Sequence, residues 1–233
     1  VTLPTEAIVL AGGLGTRLRA VVSDVPKPLA PIAGRPFLHW LLDGLARQGI
    51  ARVVLATGYM AGTIRDVIGE THAGMAVLHS EETTPLGTGG ALWAALGLCS
   101  GERVFMLNGD TWLGAPLAPI AAQAPAADLV MAVRPVPDRS RYGSVVVEGD
   151  RVLGMAEKGP GGAGLVNAGL YLARRDLPAR RPMPGPFSLE AEILAQPGAL
   201  DIRAHVTEAP FIDIGTPEDF HRAQALIPAW AAG

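Results

Sequence analysis

The stretch Glu6-Ala-Ile-Val-Leu-Ala-Gly-Gly-Leu-Gly-Thr-Arg-Leu18 decides how the chain is read. Residues 6–11 form a short apolar run that stops at Gly12-Gly13, the pattern of a buried strand entering a turn. Working outward, residues 37–48 carry apolar side chains at Phe37, Leu38, Leu41, Leu42 and Leu45. That spacing predicts an amphipathic helix, with Gly49 at the position past its end where glycine is favoured. Strands are predicted over 52–57, 76–79 and 104–107, and helices over 63–68 and 89–98. Strand and helix alternate, and the strands are almost continuously hydrophobic. A mainly parallel sheet covered on both faces follows. After about residue 128 the pattern changes. Runs at 129–133, 144–147, 152–156 and 165–172 are strand-like with short turns between them, so this half reads as more antiparallel. A last helix is expected over 217–226, with Pro217 in its first turn. No internal repeat or clear linker interrupts the chain, and one mixed-sheet domain over 1–233 is the simplest reading.

The chain has 233 residues, 49% hydrophobic and 18% charged, which is ample apolar material for a core and excludes disorder as the main state. Its 29 glycines and 20 prolines are scattered rather than periodic and read as many loops between short elements. The net charge of −3 lacks the basic excess of a nucleic-acid binder, so any anionic substrate must be held by local charges. Cys99 is the single cysteine, which excludes an internal disulfide and a cysteine-based zinc site and suits a reducing cytoplasm. The longest charge-free run, 111–127, contains three prolines and a glutamine and does not read as a membrane span. No secretory signal opens the chain, and a start at Val1 implies an initiator Met removed or replaced. A cytoplasmic protein without a membrane partner is expected.

The glycines after the first strand let backbone N–H groups approach an anion closely, and Arg17 adds charge. The alternative is a plain strand-to-helix turn. The loop lacks the Gly-x4-Gly-Lys spacing of a P-loop, and it fails the G-x-G-x-x-G dinucleotide fingerprint because Leu18 follows Gly13 and Gly15. In Pro26-Lys-Pro-Leu-Ala-Pro31, prolines pre-set the backbone around Lys27. A rigid lysine near a glycine-rich loop suits a polyphosphate; alone, it would read as a solvated lysine in a Pro-rich loop.

Taken together, Leu10 to Leu18 and Pro26-Lys27-Pro28 resemble the signature of the sugar-1-phosphate nucleotidylyltransferases. Pro85-Leu-Gly-Thr-Gly-Gly-Ala91, Asn108-Gly-Asp110, Tyr142-Gly143, Glu157-Lys158, Asn167-Ala-Gly169 and Asp213-Ile-Gly-Thr-Pro217 match in order, so the resemblance covers nearly the whole chain. Val21-Val-Ser-Asp-Val25 departs from the Pro-Leu-Thr run of many members. That stretch, with Pro31-Ile32 and Pro36-Phe37-Leu38, looks most like members that transfer GMP from GTP to D-glycero-α-D-manno-heptose 1-phosphate. The resemblance implies a single-domain, Rossmann-like, glycosyltransferase-A-like α/β fold with a mixed, mainly parallel sheet. It implies a nucleotide-binding half over about 1–127 and a sugar-phosphate-binding half over about 128–233. The chain stops near residue 233, so the left-handed β-helix of larger relatives is not expected.

The family reaction is attack of a sugar-1-phosphate oxygen on the α-phosphorus of a nucleoside triphosphate, with pyrophosphate leaving. The nucleophile is already an anion, so positioning and electrostatics should supply most of the rate. Asp110 and Asp213 each end an apolar run. A lone strand-end aspartate is more often a turn or cap residue, but the family match at both positions implies ligands for Mg²⁺, which binds through one or two carboxylates plus substrate phosphates. The resemblance implies that Arg17 and Lys27 hold the triphosphate and that Lys158 meets the sugar phosphate. It implies nucleotide contacts at Leu10, Ala11, Gly12, Gly13, Gly15, Thr16, Glu82, Gly87 and Thr88. Sugar-phosphate contacts fall on Asn108, Gly143, Glu157, Lys158 and Asn167. The five histidines have no metal spacing, and Cys99 reads as a packed small hydrophobe. A homodimer is compatible with the resemblance.

Glu82 stands four residues before Leu86, where uracil- or thymine-using relatives often place Gln. An ionised carboxylate only accepts, and guanine offers two adjacent donors where uracil or thymine offers one flanked by carbonyls. GTP is the expected nucleotide unless Glu81 and Glu82 are merely loop charges. Heptose 1-phosphate is favoured by resemblance only; mannose 1-phosphate and N-acetylmuramate 1-phosphate are same-chemistry alternatives. A non-catalytic nucleotide-sugar-binding subunit should lose Arg17, Lys27 or a metal aspartate, and all four residues are present.

Overall fold

The computed structural model describes residues 2–232 apart from Leu14, Thr16, Arg17, Arg19, Ala20, Ser23, Arg141 and 157–160. The first part of the chain runs β1 (Glu6–Leu10), β2 (Pro31–Ile32), β3 (Arg35–Pro36), α1 (Phe37–Arg47), β4 (Arg52–Thr57), α2 (Ala61–Ile68), β5 (Thr71–His72), β6 (Met75–Glu81), α3 (Gly87–Leu96), β7 (Arg103–Asn108), β8 (Thr111–Leu113) and α4 (Leu117–Gln123). The second part runs β9 (Leu129–Val136), β10 (Ser144–Glu148), β11 (Arg151–Ala156), β12 (Gly164–Arg174), α5 (Leu177–Arg180), a π-helical turn (Leu189–Leu194), β13 (Ile202–Val206), β14 (Phe211–Asp213) and α6 (Pro217–Ala231).

Ten strands make one sheet in the order β10-β11-β13-β9-β12-β7-β1-β4-β6-β5. The expected parallel pairing holds where β7, β1, β4 and β6 lie side by side, and again between β13 and β9. The other pairings are antiparallel, including β12 against both β9 and β7, as the second half of the sequence suggests. Alternate residues of one strand serve the two faces. Ala7, Val9, Val53 and Leu55 join the core under α1, α4 and α6, whereas Ile8, Val54 and Ala56 join the core under α3 and the π-helical turn. Burial on both sides is why these strands read as unbroken hydrophobic runs.

The predicted stripe on α1 is buried in full, and Gly49 after it takes φ +85°. Thr216 caps α6, its hydroxyl accepting from the Asp219 N–H at 3.2 Å. The predicted end at residue 226 is too early. The helix runs through Pro228 to Ala231, since Ile227 is buried and Trp230 and Ala231 pack on the core. That packing offsets the hydrogen bond the proline removes. Helix α3 sits two residues earlier than expected, and it leaves Leu98 exposed. Among the described residues no helix is long and apolar enough to cross a membrane.

One buried carboxylate ties the rear of the sheet together. Glu6 Oε2 accepts from the N–H groups of Ser100 and Gly101, and Oε1 accepts from the Ser100 hydroxyl at 3.1 Å and from Arg52 at 3.0 Å. Burial works against its charge, but the N–H groups of Gly101 and Ser100, the Ser100 hydroxyl and Arg52 prevail and hold the carboxyl below its ordinary 4.5. A carboxyl lowered on folding adds stability that is complete above its unfolded value and is lost as pH falls through the folded one. Glu6→Gln should therefore cost about 1–3 kcal/mol near neutral pH. Urea unfolding from pH 7 down to acid should show the gap between wild type and variant closing only below 4.5. A gap independent of pH would mean that shape, not charge, makes the contribution.

Candidate active site

The carboxyl ends of β1 and β7 meet at one edge of the sheet. Leu10 lies opposite Asn108, and the Gly109 N–H donates to the Leu10 carbonyl at 2.8 Å. The glycine-rich loop and Asp110 thus leave the sheet side by side. Asp213 reaches the same place through a two-stranded ladder, β8 with β14, in which Thr111 lies opposite Asp213. Lys27 enters on a single 3₁₀ turn, Lys27–Leu29, fixed by extended Pro26 and buried Pro28.

The lysine side chain is 10% exposed and lies between the two aspartates. Its Nζ is 2.6 Å from Asp110 Oδ2 and 3.4 Å from Asp213 Oδ1. Asp110 Oδ1 also accepts from the Thr111 hydroxyl at 3.1 Å, and Asp213 Oδ1 from the Gly215 N–H at 2.7 Å. Burial, and then the charge of Asp110, push the Asp213 carboxyl above its ordinary value; Lys27 and Gly215 only partly oppose this. Two carboxylates sharing one ammonium leave negative charge uncompensated, which a divalent cation would relieve. Two protein oxygen donors, with the rest left to phosphates and water, suit Mg²⁺. Among the described residues no group of three or more acidic, histidine or cysteine side chains forms a self-sufficient metal cage.

Lys27 and Asp110 line a cleft of ≈ 300 Å³ together with Leu10, Gly13, Gly15, Pro28, Thr88, Asn108, Gly109, Glu190 and Gly215. Of the expected nucleotide contacts, Leu10, Gly13, Gly15 and Thr88 therefore face the cleft. Ala11 is buried behind them, its N–H donating to the Ala56 carbonyl at 2.7 Å. Gly12 packs where a Cβ would come within 3.0 Å of both Glu82 Oε1 and the Gly58 nitrogen. Glu82 is half-buried: its Oε2 accepts from the Leu86 N–H at 2.6 Å, and Oε1 lies beside Gly12 and Gly58. It holds the loop before α3, so it is more than a solvated loop charge. Gly87 and Thr88 are committed to a clasp. Phe187 covers Gly87, and the Thr88 hydroxyl donates to Glu190 Oε2 at 2.6 Å while accepting from the Leu189 N–H at 2.9 Å.

On the other side, Asn167 is fixed by Tyr171 and Gly169. Its Nδ2 donates to the buried Tyr171 hydroxyl, and its Oδ1 accepts from the Gly169 N–H at 2.9 Å. Gly169, at φ +71° in a break of strand register, lets the Asn108 amide pack against the backbone. Asn108 Oδ1 is buried without a hydrogen-bond partner among the described residues. Gly143 lies against the Ala156 carbonyl, away from the cleft lining. Thr16, Arg17, Glu157 and Lys158 lie outside the described residues. The sequence reading missed Glu190, carried by the π-helical turn after the Pro-rich segment 182–187. The available signal was Ser188 with Glu192 four residues on: the Ser188 hydroxyl caps the Ala191 N–H, and Glu192 accepts from the Ser188 N–H.

A glycine-rich loop, a proline-fixed lysine and two aspartates thus gather at the carboxyl edge of a parallel sheet, the place where open α/β sheets bind their ligands. The chain belongs to the nucleotidyl transferase family, whose profile matches residues 6–229. A protein of Aneurinibacillus thermoaerophilus, D-glycero-alpha-D-manno-heptose 1-phosphate guanylyltransferase, is 39% identical over 94% of this chain and 96% of its own. A protein of the same name from Campylobacter jejuni is 37% identical over 93% of this chain and 97% of its own. The crystal structure of HddC from Yersinia pseudotuberculosis complexed with GMP-PN superposes with a TM-score of 0.86 at 35% identity, over 95% of this chain and 98% of that one.

Proposed function

We propose that this enzyme transfers GMP from GTP to D-glycero-α-D-manno-heptose 1-phosphate, yielding GDP-heptose and pyrophosphate. The observation that carries the reading is the Lys27–Asp110–Asp213 cluster, set at the edge where the glycine-rich loop leaves β1. The names of the relatives support the base and the sugar. In this reading the first half of the chain binds nucleotide and the second half binds sugar phosphate. A phosphate oxygen of the sugar forms the new bond to the α-phosphorus as the bond to the pyrophosphate oxygen breaks. Each anion carries its own charge, and no protein base is needed. Lys27, with Arg17, neutralises the triphosphate, Lys158 meets the sugar phosphate, and Asn167 and Glu157 address sugar hydroxyls. Asp110 and Asp213 would hold Mg²⁺, which supplies charge neutralisation on the phosphates when bound. Excluding water and fixing the two anions in line is the remaining work of the cleft.

The test is pyrophosphate release over a matrix of nucleoside triphosphates and sugar 1-phosphates. GTP with the heptose 1-phosphate should give the highest kcat/KM. Better use of mannose 1-phosphate, or of UTP with N-acetylmuramate 1-phosphate, would replace this assignment.

Base choice makes a sharper claim on Glu82. Its carboxylate can accept from both the N1–H and the 2-amino group of guanine. Glu82→Gln keeps an acceptor for the Leu86 N–H, so the loop should hold, but it brings an amide donor to the guanine edge. Losing a charged hydrogen bond should cut the GTP-over-UTP preference about ten- to a hundredfold. The measurement is kcat/KM for both nucleotides with one fixed sugar phosphate. An unchanged ratio would assign Glu82 to the loop alone and base reading to backbone near Gly12 and Gly87.

A further inference from the structure

Glu190 is a carboxylate on the wall of a cleft that also holds Lys27 and Asp110. One of its oxygens is fully committed. Oε2 accepts from the Thr88 hydroxyl at 2.6 Å and from the Ser188 hydroxyl at 3.0 Å. Both donors converge on that oxygen, and Oε1 has no hydrogen bond among the described residues. No described lysine or arginine pairs with Glu190 either, in contrast to Asp110 and Asp213. An unpaired carboxylate facing a cleft repels phosphate, so the part of the ligand beside it must be neutral and rich in donors. Hydroxyls meet that requirement, and a carboxylate can accept from two neighbouring ones at once.

Its surroundings say which hydroxyls. The π-helical turn that carries Glu190 packs Leu189 and Ile193 into the same core as the buried Tyr171, whose hydroxyl resists ionisation first because of that burial and next because of the Glu190 charge. The same hydroxyl accepts from Asn167, the expected sugar contact. Glu190 is thus tied through Tyr171 to the strand that carries Asn167, while Glu82, the expected base reader, lies with Gly12 and Gly58.

We infer that Glu190 is a specificity-determining residue for the sugar, its Oε1 accepting hydrogen bonds from hydroxyls of the sugar 1-phosphate. The role rests on the reaction proposed above. Thr88 and Ser188 act as positioning residues, because two hydroxyls on one oxygen fix the direction in which the other points. The clasp also ties the start of α3, on the nucleotide side, to the residue that touches sugar.

The experiment compares wild type, Glu190→Gln and Glu190→Asp. Gln keeps the shape and an acceptor for Thr88 but replaces the free oxygen by a donor. Asp keeps the charge but withdraws it by one methylene. Steady-state kinetics would use the heptose and mannose 1-phosphates, with GTP binding measured separately by calorimetry. For Glu190→Gln, the KM of the preferred sugar phosphate should rise about ten- to a hundredfold, the loss of one or two charged hydrogen bonds. Its preference over the other sugar should shrink, GTP affinity should stay within about twofold, and Glu190→Asp should fall between. If a sugar phosphate is turned over and Glu190→Gln uses it as well as wild type does, the assignment fails while the reaction stands. If GTP affinity falls in parallel with sugar KM, the carboxylate serves the ribose or the loop, and the assignment again fails. A wild type that takes no sugar 1-phosphate overturns the reaction, and the role of Glu190 with it.

Discussion

Asp110→Asn and Asp213→Asn should each lower kcat by about a hundredfold to a thousandfold, the range seen when a preorganised electrostatic contact is removed from a reacting centre. Asp213→Asn keeps its local hydrogen bonds, and Asp110→Asn gives up only the one from Lys27. Asn at 110 can still accept from the Thr111 hydroxyl, and Asn at 213 can still accept from the Gly215 N–H. What disappears is one of two negative charges. Lys27 keeps a carboxylate partner in either variant, so its ammonium is not left buried and alone. Relief of the repulsion between the aspartates should also let the carboxyl of Asp213 fall back toward its ordinary value in Asp110→Asn, since the charge of Asp110 is one cause of its elevation. Thermal melting without ligand should thus stay close to wild type while turnover collapses. Binding of Mg²⁺ with GTP, measured by calorimetry, should weaken in both variants. Activity within tenfold of wild type for both, at saturating Mg²⁺, would remove the aspartates from the cation site.

Much of this arrangement was legible in the sequence. The run at 6–11, the stripe Phe37-Leu38-Leu41-Leu42-Leu45 and the strand at 52–57 carry strong periodic or continuous apolar signals. The strand-like run at 152–156 falls within β11. Other elements gave no such signal. Helix α4 lies in a charge-free, proline-bearing stretch with no polar face to set a period. The three-residue strands β8 and β14 are too short for alternation to show, yet their ladder is what brings Asp213 to Asp110. The motifs therefore named Lys27, Asp110 and Asp213, but the lysine's place between the two carboxylates came only from tertiary pairing. Glu190 was hidden for a related reason. Its importance depends on Thr88, a partner far away in the chain, and on a turn whose cap follows a proline-rich segment.

The clasp around Thr88 has its own test in Gly87→Ala, which should destabilise the protein by about 2–5 kcal/mol. Two penalties add. Gly87 has φ +73°, a conformation that costs an L side chain about 1–2 kcal/mol. A Cβ there would also collide with the Phe187 carbonyl oxygen and crowd the rest of that residue's backbone. Forcing such an overlap apart typically costs about 1–3 kcal/mol. Phe187 cannot simply retreat. Its carbonyl accepts from the Gly89 N–H at 3.0 Å, its N–H donates to the Leu86 carbonyl at 2.9 Å, and its ring sits edge-on against Trp93 at 5.3 Å. Moving it would also pull Leu189 off the Thr88 hydroxyl and turn Glu190 away from the cleft. Gly34→Ala supplies the control. Gly34 has nearly the same φ, +74°, but nothing lies within 4 Å of its missing Cβ, so only the conformational penalty applies. For a chain of this size each kcal/mol lowers the melting temperature by about 2–4 °C. Gly87→Ala should therefore melt clearly below Gly34→Ala, by several degrees, and should lose sugar-phosphate use as well. Equal melting temperatures would mean that Phe187 yields freely and that the clasp does not hold Glu190 in place.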